Sequence, residues 1–98
     1  MPLMNATTTP SELFPRNSTR RSFVIQNQDS VSNIFIKRER TPHTTVSLTD
    51  HDHRIGPGGA IALNWVNDGS SAIQDRWTII AAAGTPLIAW FETEEIAR

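Results

Sequence analysis

His51–Trp65 reads HDHRIGPGGAIALNW, with two histidines flanking an aspartate and a Gly-Pro-Gly-Gly run leading into an apolar segment. Histidines two apart point to one side of a strand, an arrangement that some zinc and iron sites use. A mononuclear site needs a third ligand, and His43 supplies one only if the fold brings it close to His51 and His53. The shortage of ligands favours loop histidines, and no metal or other cofactor is expected. A phosphate cradle needs backbone N–H groups converging at a helix start, with Lys and Ser/Thr after the last glycine in the Walker form. Here Ala60-Ile61-Ala62-Leu63 alternates with period two, no lysine follows, and Pro57 removes a donor. Gly56–Gly59 therefore reads as a tight turn feeding a strand.

Other chemistry finds little purchase. Cysteine is absent, which excludes disulfides, thiolate metal sites and a cysteine nucleophile. Serines are abundant, but none sits in a nucleophile-elbow pattern. Asp50/Asp52 and Glu92/Glu94/Glu95 could be paired carboxylates, yet read equally well as a loop and a solvated acidic tail. Trp65, Trp77 and Trp90 are candidates for stacking on sugars or bases. Trp65 shares a period-two face with Ile61 and Leu63, and Trp77 one with Ile79, so both are expected in a core. Trp90 has apolar neighbours on both sides and is expected at a subunit contact. The reading is a non-enzyme.

The elements that must position these residues are short. The 98 residues allow one domain, and a chain of this size has a thin margin of stability. Without disulfides or a metal, oligomerisation is the expected reinforcement. The formal charge is −1, too balanced for a dedicated nucleic-acid binder. Residues 1–40 carry six Lys/Arg against three Asp/Glu, a balance of +3, and residues 41–98 carry three against seven, a balance of −4. Such polarity would suit contacts between chains. No apolar run approaches the ~20 residues that span a bilayer, and the opening residues lack the pattern of a signal peptide.

Residues 1–20 hold Pro2, Pro10 and Pro15 in a Thr/Ser/Asn background and are expected to form an extended arm, with Leu13 and Phe14 anchoring it on a neighbour. Residues 21–98 are expected to be the folded domain. Period-two alternation marks strands in SFVIQN, SNIFIKRE, TTVSLTD and GAIALNWV. Turn residues fill the gaps at Asn27–Ser32, Arg40–His43, Gly56–Gly59 and Asn67–Ser71. A short helix at Ala72–Arg76 is possible. Trp77–Ala82 and Leu87–Phe91 are apolar on both faces, as in strands covered on both sides, and one cover could be another subunit. The spacing predicts an all-β fold: a small antiparallel β-sandwich, jelly-roll-like or Ig-like, of about six or seven strands.

From Gly56 the order of features is familiar: IGPGGAIAL, then NDGSS, then AIQDRWTIIAAAGTPLIAWFETEE. Together with RRSFVIQNQDSVSNIFIK, this resembles small β-rich virion structural proteins of tailed bacteriophages, over about residues 20–95. The resemblance implies a virion protein assembled in the host bacterial cytoplasm. A capsid decoration (cement) subunit binding the major capsid protein lattice is favoured over a tail, neck or fibre-base component. Its expected partners are itself, as a homo-oligomer with a trimer favoured, and the major capsid protein or another virion protein, with no membrane and no specific nucleic acid. The expected interface residues are Leu13, Phe14, Arg20, Arg21, Trp90 and Phe91. Two rivals stand beside this reading: a carbohydrate-binding adhesion module using an exposed tryptophan, and a metal-dependent β-barrel enzyme using the histidines.

Overall fold

A computed structural model describes residues 3–39, 45–64 and 69–94. Eight strands run through them: β1 (Leu3–Asn5), β2 (Ser11–Phe14), β3 (Arg20–Asn27), β4 (Ile34–Arg38), β5 (His53–Ile55), β6 (Ala60–Asn64), β7 (Trp77–Ala81) and β8 (Leu87–Glu94). Among the described residues one short helix, α1 (Ser70–Gln74), lies between β6 and β7. The strands form two four-stranded sheets, ordered β1-β8-β3-β6 and β2-β7-β4-β5, with every pairing antiparallel.

The pairing has a simple rule. The first strand pairs with the last, β2 with β7, β3 with β6, and β4 with β5. A long hairpin folded back on itself and rolled up gives these partners, and the β3–β8 and β4–β7 contacts close the roll into two sheets. This is the eight-stranded jelly-roll wrapping. It decides between the two sandwich types expected, because an Ig-type sandwich divides its strands differently.

The period-two expectation holds for β3, β4 and β6. Phe23, Ile25, Ile34 and Ile36 are buried and share a core with Leu63, Ile79, Ala81 and Ile88. At one end of the sandwich, aromatic rings interlock. Phe14 lies 5.0 Å from Phe23 and 5.1 Å from Trp90, and Phe23 lies 5.3 Å from Trp77. Such tilted and edge-on pairs add to plain burial. The Trp77 indole N–H is satisfied by the Ala72 carbonyl of α1.

Gly56–Gly59 is the expected turn. The Gly59 N–H donates to the Gly56 carbonyl at 2.9 Å, and Gly58 has φ 72°. Proline at the second position and a positive-φ glycine at the third are the requirements of a type II turn. Asn27, fully buried at the end of β3, fastens this turn to the β3–β4 loop. Its amide donates to the Ser32 and Ile55 carbonyls, its Oδ1 accepts from the Asp29 N–H, and its backbone exchanges bonds with Gly58 and Gly59.

In the same loop, the Asp29 carboxylate accepts from the N–H groups of Ser32 (2.6 Å) and Val31 (3.1 Å). The Ser32 bond, more than the Val31 bond, holds its pKa below the ordinary carboxylate value. A lowered folded-state pKa stabilises the fold fully above the unfolded value of ~4, and that contribution is lost as pH falls through the folded value. Asp29→Asn is therefore expected to be less stable than the parent at neutral pH. The gap should narrow on acidification below about pH 4, read as urea midpoints from pH 2 to 7.

Two expectations are corrected. Residues 3–20 are not a free arm: β1 adds to the first sheet and β2 to the second, and Ala6, Leu13 and Phe14 are buried in the core. The backbone seals the joint, with the Ala81 N–H donating to Thr7 and the Ala6 N–H to Pro86. TTVSLTD is not a strand over its described residues. The Ser47 hydroxyl accepts from the N–H groups of Thr49 and Asp50, and this local bonding replaces a ladder. The segment lies instead across the outer face of the second sheet, where Val46 packs on Phe35 and Ile80, and His51 sets its ring 4.5 Å from Phe35. Asp50 fixes the loop through Lys37 at 2.5 Å. The second apolar face of β7 is thus covered from within the chain.

Candidate interaction surface

The outer face of the first sheet has no such cover among the described residues. Along β8, Ile88 and Trp90 turn inward, while Leu87 and Phe91 are exposed on the outer face and Ala89, between them, is wholly buried. Pairing sets Leu3 beside Ala89, and Val24 between Phe91 and Ala62. Leu3 is 57 % exposed, Phe91 47 % and Leu87 36 %. Polar residues interrupt and border the strip: Gln26 pairs with Ala89, Ser22 and Thr93 share a 2.5 Å hydroxyl contact at one end, and Asn5 and Gln28 lie toward the other. An apolar strip with a polar rim is the usual make-up of a protein contact surface.

The residues expected at an interface divide sharply. Phe91 lies on this strip. Leu13 and Phe14 are core residues, 6 % and 1 % exposed, and cannot anchor the chain on a neighbour without leaving the sandwich. Trp90 is half-buried, with its ring edge-on to Phe14 and packed against the core. Arg21 is exposed, whereas Arg20 is wholly buried. Strict alternation from Phe23 would place them the other way round. A register irregularity between Arg20 and Ser22 reverses the order, and no residue type in RRSF announces it.

Arg20 is the most heavily engaged side chain in the structure's interior. Its Nε donates to Glu92 at 2.6 Å, one terminal nitrogen to the Ile73 and Asp75 carbonyls, and the other to Pro15. The guanidinium also sits 4.9 Å from the Phe14 ring centre. Glu92 is therefore a structural partner and not part of a solvated tail. Glu95 lies outside the described residues.

The chemistry weighed for the histidines does not assemble. His51 lies against Phe35 on the outer face of the second sheet, and His53 stacks on Trp77, a core residue, at 6.1 Å. The two rings are on opposite faces, because His51 is in the covering loop and only His53 is in a strand. His43 and Trp65 lie outside the described residues. The aspartates have structural tasks: Asp50 pairs with Lys37, and Asp52 accepts from the Arg38 N–H at 2.8 Å. A cleft of about 250 Å³ opens beside β2, lined by Ser11, Glu39, Thr45, Val46, Arg76 and Thr78. Within it Arg76 pairs with both Glu12 and Glu39, so its guanidinium is already engaged. No described helix is long and apolar enough to cross a membrane.

Comparison of the chain with protein-family models, with curated proteins and with solved structures finds no match in any of the three.

Proposed function

We propose that this chain is a structural subunit of a bacteriophage virion, a capsid decoration protein that binds the major capsid protein lattice and works through surfaces without catalysis. One observation carries the reading: Leu87 and Phe91 of β8, with Leu3 beside them, are exposed apolar side chains on the outer face of a sheet whose inner face already fills the core. Solvent gives no reason for such a strip, and a docking partner does. The jelly-roll wrapping supports the reading, since it is a recurrent architecture of viral capsid domains, although a fold alone never fixes a function. The resemblance of residues 20–95 to small virion proteins of tailed phages points the same way.

The test is direct. Phage particles are purified from the host lysate and their proteins quantified by mass spectrometry, with gold-labelled antibody against the purified chain marking its position. The chain is expected on the head, at a fixed ratio to the major capsid protein. Label confined to the tail or neck would replace decoration with the tail reading. Absence from intact particles would overturn the virion role.

A further inference from the structure

Residues 46–52 cross the outer face of the second sheet, and their bonds are of two kinds. Most are internal. Ser47 and Asp50 exchange backbone bonds at 2.9 and 3.3 Å, and the Ser47 hydroxyl accepts from the Thr49 and Asp50 N–H groups. The His51 ring lies 3.3 Å from the Ser47 carbonyl. These bonds close a small turn on itself and would travel with it. The bonds to the sheet gather at one end. The Asp52 N–H donates to the Ile36 carbonyl, the Asp52 carboxylate accepts from the Arg38 N–H, and Lys37 reaches Asp50. Among the described residues, the backbone of 46–49 makes no hydrogen bond to the sheet. There the contact is burial. Val46, 1 % exposed, seats on Phe35 and Ile80 in a small cluster separate from the main core, while Leu48 and Thr49 face solvent.

We infer that residues 46–52 form a strap that lifts from the sandwich as a unit while both sheets stay folded, hinged at Asp52 and latched by Val46. Backbone that joins no ladder and is seated by one apolar side chain belongs to the low-stability end of a fold. The main core does not depend on it. Ile34, Ile36 and Ile79 fill that core from the other face of the same strands, and β4 keeps both β5 and β7 beside it. Lifting the strap uncovers Phe35 and Ile80, which are directly paired across β4 and β7. The same step widens the neighbouring cleft, since Thr45 and Val46 form part of its wall. Asp50 adds an electrostatic catch: its carboxylate is 54 % exposed, on a Lys37 side chain only 8 % exposed. Salt screens a pair that reaches solvent in this way, so ionic strength tunes the opening. The chain therefore holds a second apolar face, closed at rest, on the opposite side from Leu3 and Phe91. The strap operates independently of any virion role.

The chain has no cysteine, so a single introduced thiol reports cleanly. Val46→Cys keeps a small apolar side chain at the latch. In native buffer the full-length variant should be alkylated by iodoacetamide on the order of 100-fold faster than Ile36→Cys, a core control on β4. Its rate should rise only shallowly with urea, because opening the strap exposes far less surface than unfolding the chain. Adding Asp50→Asn to Val46→Cys should speed labelling about 2–5-fold and remove the acceleration by salt. The urea profile needs only the Val46→Cys chain, so the test stands even if Ile36→Cys unfolds. A Val46→Cys rate that climbs with urea as steeply as whole-chain unfolding, followed by tryptophan fluorescence, would overturn the strap. Labelling that neither salt nor Asp50→Asn alters would overturn the Asp50 catch.

Discussion

Deleting residues 1–20 is expected to abolish folding, not merely docking. The segment contributes one strand to each sheet, and it buries Leu13 and Phe14 almost completely, with Ala6 beside them. Truncating one buried leucine costs ~2–5 kcal/mol and one buried phenylalanine ~3–5 kcal/mol. A small domain holds only ~5–15 kcal/mol in all. Losing both side chains, the pairing of β1 with β8 and of β2 with β7, and Arg20 itself with its bonds to Glu92 and to the Ile73 and Asp75 carbonyls takes most or all of that margin. The truncated chain should lack a cooperative thermal transition and show flattened near-ultraviolet circular dichroism. A detachable arm would leave the same deletion folded, with a melting curve close to the parent's. To separate folding from docking, Phe91→Ser is the informative companion, since it alters the exposed strip without opening the core.

The reason the arm looked detachable is physical. β1 and β2 are three and four residues long, too short for alternation to rise above their Thr/Ser/Pro surroundings. Leu13 and Phe14 are adjacent, which alternation reads as one in and one out. The register shift between Glu12 and Phe14 turns both inward. TTVSLTD is the opposite case, a clean alternation that forms no ladder. Only Val46 is buried there, Leu48 remains 48 % exposed, and Ser47 bonds its own loop. Period two thus reports strands where partners on both sides fix the register, as in β3 and β4. It fails where side-chain hydrogen bonds or bulges set the local path. Both kinds of failure bear on the interaction surface. They account for Leu13, Phe14 and Arg20 lying in the core, whereas Phe91 is exposed on the outer face of β8.

The charge polarity of the chain also has a local explanation. A basic first part and an acidic second part suggested attraction between chains. In the folded molecule Arg20 pairs with Glu92, Lys37 with Asp50, and Arg38 with Asp75, so much of that polarity is consumed within one copy. The Lys37 and Arg38 pairs are partly buried, with Asp50 54 % exposed and Asp75 21 %. The Arg20 pair is different, because its guanidinium is wholly enclosed and its other hydrogen bonds all go to backbone.

Arg20→Met should therefore be among the most damaging single substitutions available. Methionine fills much of the space but donates nothing. The Ile73, Asp75 and Pro15 carbonyls lose their donor at once, and Glu92, 24 % exposed, is left facing the core without a cation. Removing one partner of a buried, hydrogen-bonded ion pair costs ~3–5 kcal/mol. In a domain of this size that lowers the thermal midpoint by roughly 15–30 °C. Arg20→Lys keeps the charge but cannot serve four acceptors from a planar fork, so it should fall between the two. The decisive comparison is the double variant Arg20→Met/Glu92→Met. If the isolated carboxylate were the whole cost, the double variant would recover nearly all the lost stability. Because three backbone carbonyls remain unserved, recovery should be partial, with a residual deficit of ~1–3 kcal/mol or more by urea denaturation. Arg20 ties the β2–β3 loop, α1 and the β8 end together through those carbonyls. The deficit should therefore appear also as faster amide exchange in α1 and residues 16–19, while β4 and β5 remain protected. Parent-like stability of Arg20→Met would show that the guanidinium is dispensable and that this end of the sandwich is held by its aromatic cluster alone.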